Sequence, residues 1–243
     1  MIGLLVELAI SWLLLYLIYR SNLGVLGIKP TGRRLLQLVF GLLIAATCSS
    51  LYLMMTNALA HNSWTVNPKM TPALIWKLSM YTIISVLYEE LIFRGALLYI
   101  AIKKLGAAKA CILSSVCFGI YHWFTFGVLG NPFMMMIIFL MTAFVGLSWA
   151  FAYARTGSMY LPIGLHMGWN FIQAVVFESG NGDQRILVTA NDNYLAGTLS
   201  LMMFLFQVLA LPICTFLYLR WLTKKQKPIG VEAPEALTKH SIQ

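Results

Sequence analysis

Charged side chains are scarce in this sequence of 243 residues: only 10% are Asp, Glu, Lys or Arg, while 60% are hydrophobic. In an ordinary soluble domain roughly a quarter of the residues are charged, so the composition excludes that class. At roughly 20 residues per span, the length accommodates about six to eight membrane helices. We therefore predict an all-α polytopic transmembrane helix bundle of about seven spans, with eight as the alternative, which forms a single integral-membrane domain over residues 1–243.

Cysteine is also sparse, and none of the four cysteines is placed for a disulfide or a zinc site. Cys48, Cys111, Cys117 and Cys214 all lie in apolar runs without CxxC spacing. The sequence has no HExxH motif, no internal repeat and no inverted pair of broken helices. These absences argue against a disulfide, an HExxH zinc protease and a secondary transporter built from repeats.

Seven apolar segments follow one another along the chain. They cover residues 2–19, 35–59, 72–102, 107–125, 132–154, 158–177 and 195–222, and we predict that each is a single helix. Most Lys and Arg residues lie in alternate connections, after the first, third, fifth and seventh segments. The positive-inside rule makes these connections cytoplasmic, which explains the net charge of +9 without a nucleic-acid partner.

This orientation places the N-terminus outside and the C-terminus in the cytoplasm, in a cell membrane such as a bacterial inner membrane. The tail over about residues 224–243 contains Pro228, Gly230 and Pro234 and begins with basic residues. We predict that it is a flexible cytoplasmic segment next to anionic lipid headgroups.

Three charged residues nevertheless stand inside the third apolar segment: Glu89, Glu90 and Arg94. An ionisable group at the centre of a membrane helix costs about 2.5 to 3.5 kcal/mol on insertion scales, so this cluster needs partners or a function. Glu90 precedes Arg94 by four residues, which is the spacing of a helical ion pair. That pairing leaves Glu89 without a charge partner.

Two further segments carry the polar residues that we expect to meet this cluster. The fourth segment contains His122, and the sixth contains His166 and Asn170, which lie four residues apart on one helix face. A bundle that turns these faces inward gathers all six residues into one site. A purely structural interpretation stays open for single members, because a lone intramembrane His or Asn is often interhelical hydrogen-bond glue. Gln173 and Gln207 are either such glue or pocket lining.

Three motifs stand in order on these segments: Glu89-Glu90-x-x-x-Arg94, Phe118-x-x-x-His122 and His166-x-x-x-Asn170. Together they resemble the motifs of the CPBP family, the CAAX-protease and bacteriocin-processing group of Rce1-like intramembrane proteases, also called the Abi family. The resemblance covers about residues 72–177. It implies an intramembrane endopeptidase that acts on a peptide or protein substrate, lipidated or not, within the lipid bilayer.

The residues suit a glutamate-dependent hydrolysis that resembles the mechanism proposed for that family. Glu89 would activate water as a general base, and His122 would orient that water or share its proton. His166 and Asn170 would donate hydrogen bonds to the oxyanion, while Glu90 pairs with Arg94. The sequence itself leaves the separate roles of Glu89 and Glu90 open.

Other mechanisms and functions remain as alternatives. In a zinc-dependent version, Glu89, His122 and His166 would bind the metal, whereas the preferred version has no cofactor. Ser114, Ser115 and Cys117 are not in a nucleophile-elbow motif, which argues against a serine or cysteine protease. Intramembrane charges are also typical of ion- or proton-coupled transporters. A non-catalytic immunity or regulatory protein that holds a peptide in the same cavity is the third alternative.

Overall fold

A computed structural model describes residues 2–177, 184–191 and 193–225. This part of the chain forms eight α-helices: α1 (Ile2–Tyr19), α2 (Gly32–Leu59), α3 (Pro72–Arg94), α4 (Ala96–Leu105), α5 (Ala107–Thr125), α6 (Pro132–Thr156), α7 (Tyr160–Phe171) and α8 (Gly197–Lys225). A 3-10 turn, Leu23–Leu26, follows α1, and a π-helical segment, Ile172–Val176, continues α7. The predicted all-α bundle is confirmed, and α1, α2, α5, α6 and α8 are long and apolar enough to cross a membrane.

The third apolar segment is not one helix. Helix α3 ends at Arg94 and α4 begins at Ala96, so the predicted continuous helix over residues 72–102 is wrong. The chain turns at Gly95, where φ is −80° and ψ is −135°. A Cβ atom at this position would lie only 2.1 Å from the carbonyl oxygen of Leu91, so the turn requires glycine. The break places Arg94 at the very end of α3.

Side-chain caps fix where three of the helices begin. Thr31, Thr71 and Asn131 each accept a hydrogen bond from a backbone N–H in the first turn of α2, α3 and α6, respectively. Pro72 and Pro132 occupy the first helical position of α3 and α6, where a missing N–H costs nothing.

Close packing against α2 positions the helix that carries the third motif. Gly164 and Gly168 of α7 face α2 so closely that an added Cβ would lie 2.2 Å from the Leu38 carbonyl oxygen and 2.3 Å from that of Leu42. Glycines four residues apart permit this approach of two membrane helices. His166 stands two residues from each glycine, a rotation of about 200°, and therefore faces away from α2.

Two polar connections meet as a short antiparallel strand pair, β1 (Trp64–Val66) and β2 (Leu187–Thr189), with Trp64 opposite Thr189. The sequence pattern does not predict that these two connections pair. Asn62 bonds both backbone groups of Asn193, since its Nδ2 donates to the carbonyl and its Oδ1 accepts from the N–H. The connection after α2 is thereby tied to the segment before α8.

Two further predictions concern the cysteines and the C-terminal tail. Cys48, Cys111, Cys117 and Cys214 are free thiols, as predicted. Residues 226–243 of the predicted flexible tail lie outside the described part of the chain.

Candidate active site

The structure brings the six residues selected from the sequence together. Glu89, Glu90 and Arg94 extend from the last turns of α3, His122 from the end of α5, and His166 and Asn170 from α7. Contacts link all six, and no other ionisable group of the described residues forms an ion pair with them. The predicted convergence of three helix faces is therefore what the fold produces.

Arg94 and Glu90 form the predicted ion pair in the fully buried part of the site. Arg94 Nη1 donates to Glu90 Oε1 at 3.1 Å, and both side chains are fully buried. The pair is not bidentate, because Arg94 Nε and Glu90 Oε2 have no hydrogen-bond partner in the described residues. A buried pair with incomplete bonding contributes little net stability, although removal of one partner strands the other charge.

Helix α6 completes the surroundings of Arg94. Arg94 Nη2 donates to the carbonyl of Gly146 at 3.2 Å, and the guanidinium carbon lies 4.2 Å from the ring centroid of Phe118 and 5.2 Å from that of Trp149. A cation over aromatic faces is stabilised by the ring quadrupoles. An added Cβ on Gly146 would lie 2.8 Å from Phe118 and 3.2 Å from Arg94 Nη2. Glycine at this position gives the guanidinium access to the backbone.

His166 is held between the two ends of the site. Its Nδ1 lies 2.9 Å from Glu90 Oε1, and its ring stacks on Trp149 at 4.2 Å between centroids. A carboxylate accepts hydrogen bonds, so Nδ1 carries the proton in the neutral ring and Nε2 carries the lone pair. Asn170 Nδ2 lies 3.1 Å from this Nε2 and donates to it. In this tautomer His166 is an acceptor at Nε2, and its predicted donation to an oxyanion requires a second ring proton.

His122 is fixed by its own helix. Its Nδ1 lies 2.7 Å from the carbonyl oxygen of Phe118, which can only accept, so Nδ1 donates and Nε2 presents a lone pair. Phe118 also packs against His122 and His166, with ring centroids 4.4 Å and 6.0 Å away. The motif Phe118-x-x-x-His122 thus supplies both the ring contact and the carbonyl that orient the imidazoles.

Glu89 occupies the open end. Its Oε2 lies 3.7 Å from His166 Nε2 and 3.9 Å from His122 Nε2, and its side chain is 12% exposed. Oε2 has no hydrogen-bond partner in the described residues. Both distances exceed a direct hydrogen bond, and gaps of this size are commonly bridged by water. One carboxylate oxygen and two imidazole nitrogens therefore face the same small space.

These donor atoms do not form a ready metal site. Both histidines have Nδ1 tied to an oxygen, as metal-ligating histidines do. His166 Nε2, however, is engaged by the Asn170 amide. Among the described residues, no group of three or more His, Cys, Asp or Glu side chains is arranged to hold a metal ion.

The sequence did not identify Gly146 or Trp149, because α6 is apolar on every side and nothing in its pattern marks them.

The hydroxyl groups of Ser114 and Ser115, which precede His122 on α5, form hydrogen bonds with backbone carbonyls and not with the six site residues. Ser114 Oγ donates to the Phe93 carbonyl at 2.8 Å, and Ser115 Oγ donates to the Ile112 carbonyl at 3.0 Å.

One comparison with known proteins covers the part of the chain that carries these residues. Residues 71–172 match the family model described as type II CAAX prenyl endopeptidase Rce1-like. The comparison with curated proteins and the comparison with solved structures give no match. The matched region contains all three motifs and supports an intramembrane protease. Residues 71–172 are therefore similar to the Rce1-like endopeptidases, and this match confirms the resemblance that the three motifs predicted.

Proposed function

We propose that this protein is an intramembrane endopeptidase in which Glu89 activates a water molecule for attack on a peptide bond. One observation carries the proposal: Glu89 Oε2 faces the Nε2 atoms of His166 and His122 at 3.7 and 3.9 Å, while its neighbour Glu90 is fully buried against Arg94. The gap accommodates a water that gives one hydrogen to the carboxylate and the other to an imidazole lone pair.

The proposed reaction proceeds by direct attack of water and needs no covalent enzyme intermediate. Glu89 takes one proton from the water as the water oxygen bonds to the carbonyl carbon of the substrate. His122 Nε2 accepts the second hydrogen of that water and aligns it. When the C–N bond breaks, Glu89 returns its proton to the leaving amine nitrogen.

Asn170 is proposed as the main donor to the oxyanion. One N–H of its amide donates to His166, which leaves the second N–H for the substrate oxygen. A single oxyanion donor typically contributes about 2.7 to 4 kcal/mol to catalysis.

Glu90 and Arg94 are proposed as positioning residues. Glu90 holds Nδ1 of His166, and Arg94 neutralises Glu90 and is itself fixed by the Gly146 carbonyl. This chain of contacts keeps the His166 Nε2 atom directed at Asn170 and Glu89. The two adjacent glutamates thus take different roles, with Glu89 as the base.

We propose a metal-free reaction, supported by the Asn170 amide that engages His166 Nε2. The zinc version would use Glu89, His122 and His166, and its test is metal analysis of purified active enzyme. Stoichiometric zinc together with reversible loss of activity on chelation would overturn the metal-free proposal. Activity that persists in a zinc-free preparation supports it.

The proposed substrate is a peptide or protein that reaches the bilayer, with prenylated proteins and bacteriocin precursors as the two classes that the family resemblance suggests. We propose the cell membrane as its location, with the N-terminus outside and the C-terminus in the cytoplasm, because of the basic residues in alternate connections.

The decisive experiment compares the peptides in cells that carry the wild type with those in cells that carry Glu89→Gln at equal membrane levels. We expect specific uncleaved precursors to accumulate in the variant. Identical peptide profiles with an unchanged phenotype would favour a non-catalytic binder. Ion flux in reconstituted vesicles that carry either form, without any cleavage, would instead indicate a transporter.

A further inference from the structure

A π-helical turn directly follows Asn170, the proposed oxyanion donor. Over Ile172–Val176 the chain leaves the α-helical pattern, and the Phe177 N–H donates to the Ile172 carbonyl, five residues back, at 2.9 Å. We call these residues the wide turn. Such turns are rare in proteins and are frequent at functional sites. The wide turn begins two residues after Asn170, so the contacts that hold it also bear on the direction of the Asn170 side chain.

Hydrogen bonds from another part of the chain hold the wide turn. The Val175 carbonyl accepts from the Ile186 N–H at 3.0 Å, and Val175 is fully buried. The Gln173 carbonyl accepts from Arg185 Nε at 3.4 Å. Arg185 and Ile186 directly precede β2, which pairs with β1. The strand pair is therefore bonded to the last segment of the helical path that carries Asn170.

Asn67, directly after β1, fixes the two residues that hold the wide turn. Its side-chain Nδ2 donates to the Arg185 carbonyl at 3.0 Å, and its backbone N–H donates to the Ile186 carbonyl at 2.9 Å. Its Oδ1 and its carbonyl accept from the N–H groups of Lys69 and Met70 at 3.0 and 3.1 Å. Asn67 is buried, with 5% of its surface exposed. All four polar groups of this buried asparagine are thus bonded, which makes the junction rigid.

The Asn170 amide stands between two anchored parts of one helical path. Before it, Gly164 and Gly168 lock α7 against α2. After it, the strand pair and Asn67 lock the wide turn. Without the second anchor the wide turn can return to the ordinary α-helical bonding pattern, which turns the end of α7 relative to its start. The 3.1 Å contact between Asn170 Nδ2 and His166 Nε2 then loses its geometry.

We propose that Asn67 is a positioning residue of the reaction, which holds the wide turn and thereby directs the Asn170 amide at the substrate oxyanion. The inference rests on the proposed protease function. It adds a residue that lies outside the region 71–172 matched by the family model. It also gives the strand pair a part in catalysis, because the pair carries the bonds that reach the end of α7.

The test replaces Asn67 by serine in the full-length protein in detergent. In Asn67→Ser the hydroxyl still accepts from the Lys69 N–H but is too short to donate to the Arg185 carbonyl. The substrate is an internally quenched peptide copied from a precursor that accumulates in Glu89→Gln cells. We expect kcat to fall about 10- to 100-fold with KM unchanged, because a small misplacement of a catalytic group has an effect of this size.

Asn62→Ser is the matched control. Asn62 also ties the two connections together, through two hydrogen bonds with the backbone of Asn193, but its bonds do not reach the wide turn. Its kcat should equal that of the wild type. Hydrogen exchange of the backbone amides over residues 172–177 should become faster in Asn67→Ser and stay unchanged in Asn62→Ser.

Two further variants separate positioning from stability. In an Asn170→Ala background, Asn67→Ser should cause no further loss of kcat, because the amide that it positions is absent. An effect of Asn67 on folding alone would multiply with that of Asn170→Ala. Arg185→Gln removes the donor to the Gln173 carbonyl and should lower kcat in the same direction. Thermal unfolding verifies each variant, and the two positions lie on different connections, so the test does not depend on the folding of one variant.

The outcomes separate this inference from the proposed function. Wild-type kcat in Asn67→Ser, an equal loss in Asn62→Ser, or losses that multiply in the double variant would overturn the role of Asn67 while the wild type still cleaves peptides. Unchanged hydrogen exchange over residues 172–177 in Asn67→Ser would overturn it as well. A wild type that cleaves nothing would instead overturn the proposed protease, and the role of Asn67 in the reaction with it.

Discussion

The candidate active site has two halves that differ in burial and in contact distances, although both include residues of α3. The closed half consists of Glu90, Arg94 and His166, whose contacts run between 2.9 and 3.1 Å, and Glu90 and Arg94 are fully buried. The open half consists of Glu89, His122 and Asn170. Glu89 Oε2 lies 3.9 Å from His122 Nε2 and 3.7 Å from Nε2 of His166 in the closed half. The closed half neutralises its own charge, whereas the open half leaves space for reactants.

Helix geometry explains how neighbouring glutamates come to differ. One residue along an α-helix turns the side chain by about 100°, which directs Glu90 toward Arg94 and Glu89 toward His122. Positioning and chemistry can thus be assigned to adjacent residues without separating them in space. Substitutions that affect one half only would sharpen this division.

The largest expected effect separates the two glutamates. Glu89→Gln keeps the size of the side chain but removes the base, and we expect peptide hydrolysis to fall by up to about 10⁴-fold while the unfolding temperature stays near that of the wild type. Glu90→Gln is the matched variant and should instead lower the unfolding temperature, because Arg94 then lacks its anion. Activity of purified protein in detergent and thermal unfolding measure both. Full activity in Glu89→Gln would show that the assignment of the base is wrong.

The second prediction removes the cation from the closed half. Arg94→Ala strands buried Glu90, and we expect a loss of about 3 to 5 kcal/mol in the free energy of unfolding and low membrane levels. Arg33, which is exposed, provides the control: Arg33→Ala should change stability by less than about 0.5 kcal/mol.

A double variant tests the two roles of the ion pair. Glu90→Leu with Arg94→Met replaces both charges by apolar groups and should recover most of the stability lost in Arg94→Ala. Its activity should stay low, because His166 Nδ1 has lost its acceptor. Recovery of activity along with stability would mean that the closed half does not position His166.

The third prediction concerns the open half. Asn170→Ala should lower kcat by about 10²- to 10³-fold with little change in KM, the pattern of a lost oxyanion donor. Asn170→Asp is nearly the same size but lacks both N–H donors, and we expect it to be as impaired as Asn170→Ala. An Asp variant with near wild-type kcat would remove Asn170 from the oxyanion site.

The smallest effect is expected at the boundary between α6 and the closed half. Gly146→Ala forces a methyl group against Phe118 and Arg94, which should lower the free energy of unfolding by about 1 to 3 kcal/mol. Gly32→Ala, where an added Cβ meets nothing within 4 Å, is the control and should have no such cost. Equal stability of the two variants would show that Arg94 does not depend on close approach to the Gly146 backbone.

The sequence by itself determined the membrane bundle and the members of the site. Charge inside apolar segments is costly, so Glu89, Glu90, Arg94, His122 and His166 stood out without any structure. Spacing of four residues also predicted the Glu90–Arg94 pair, because it follows from a single helix. Such local rules need no knowledge of which helices are neighbours.

Only the tertiary structure decided how the halves of the site differ. Helices that are apolar on every side give no signal of which face meets a partner, so the contacts of Gly146 and Trp149 with Arg94 and His166 were not predictable. The break at Gly95 and the bond from His166 to Glu90 likewise depend on packing between elements distant in the chain. The sequence determines which polar groups lie within the membrane. Packing determines how exposed each group is and which partners it has, because exposure and partners depend on neighbouring helices that the order of the chain does not specify.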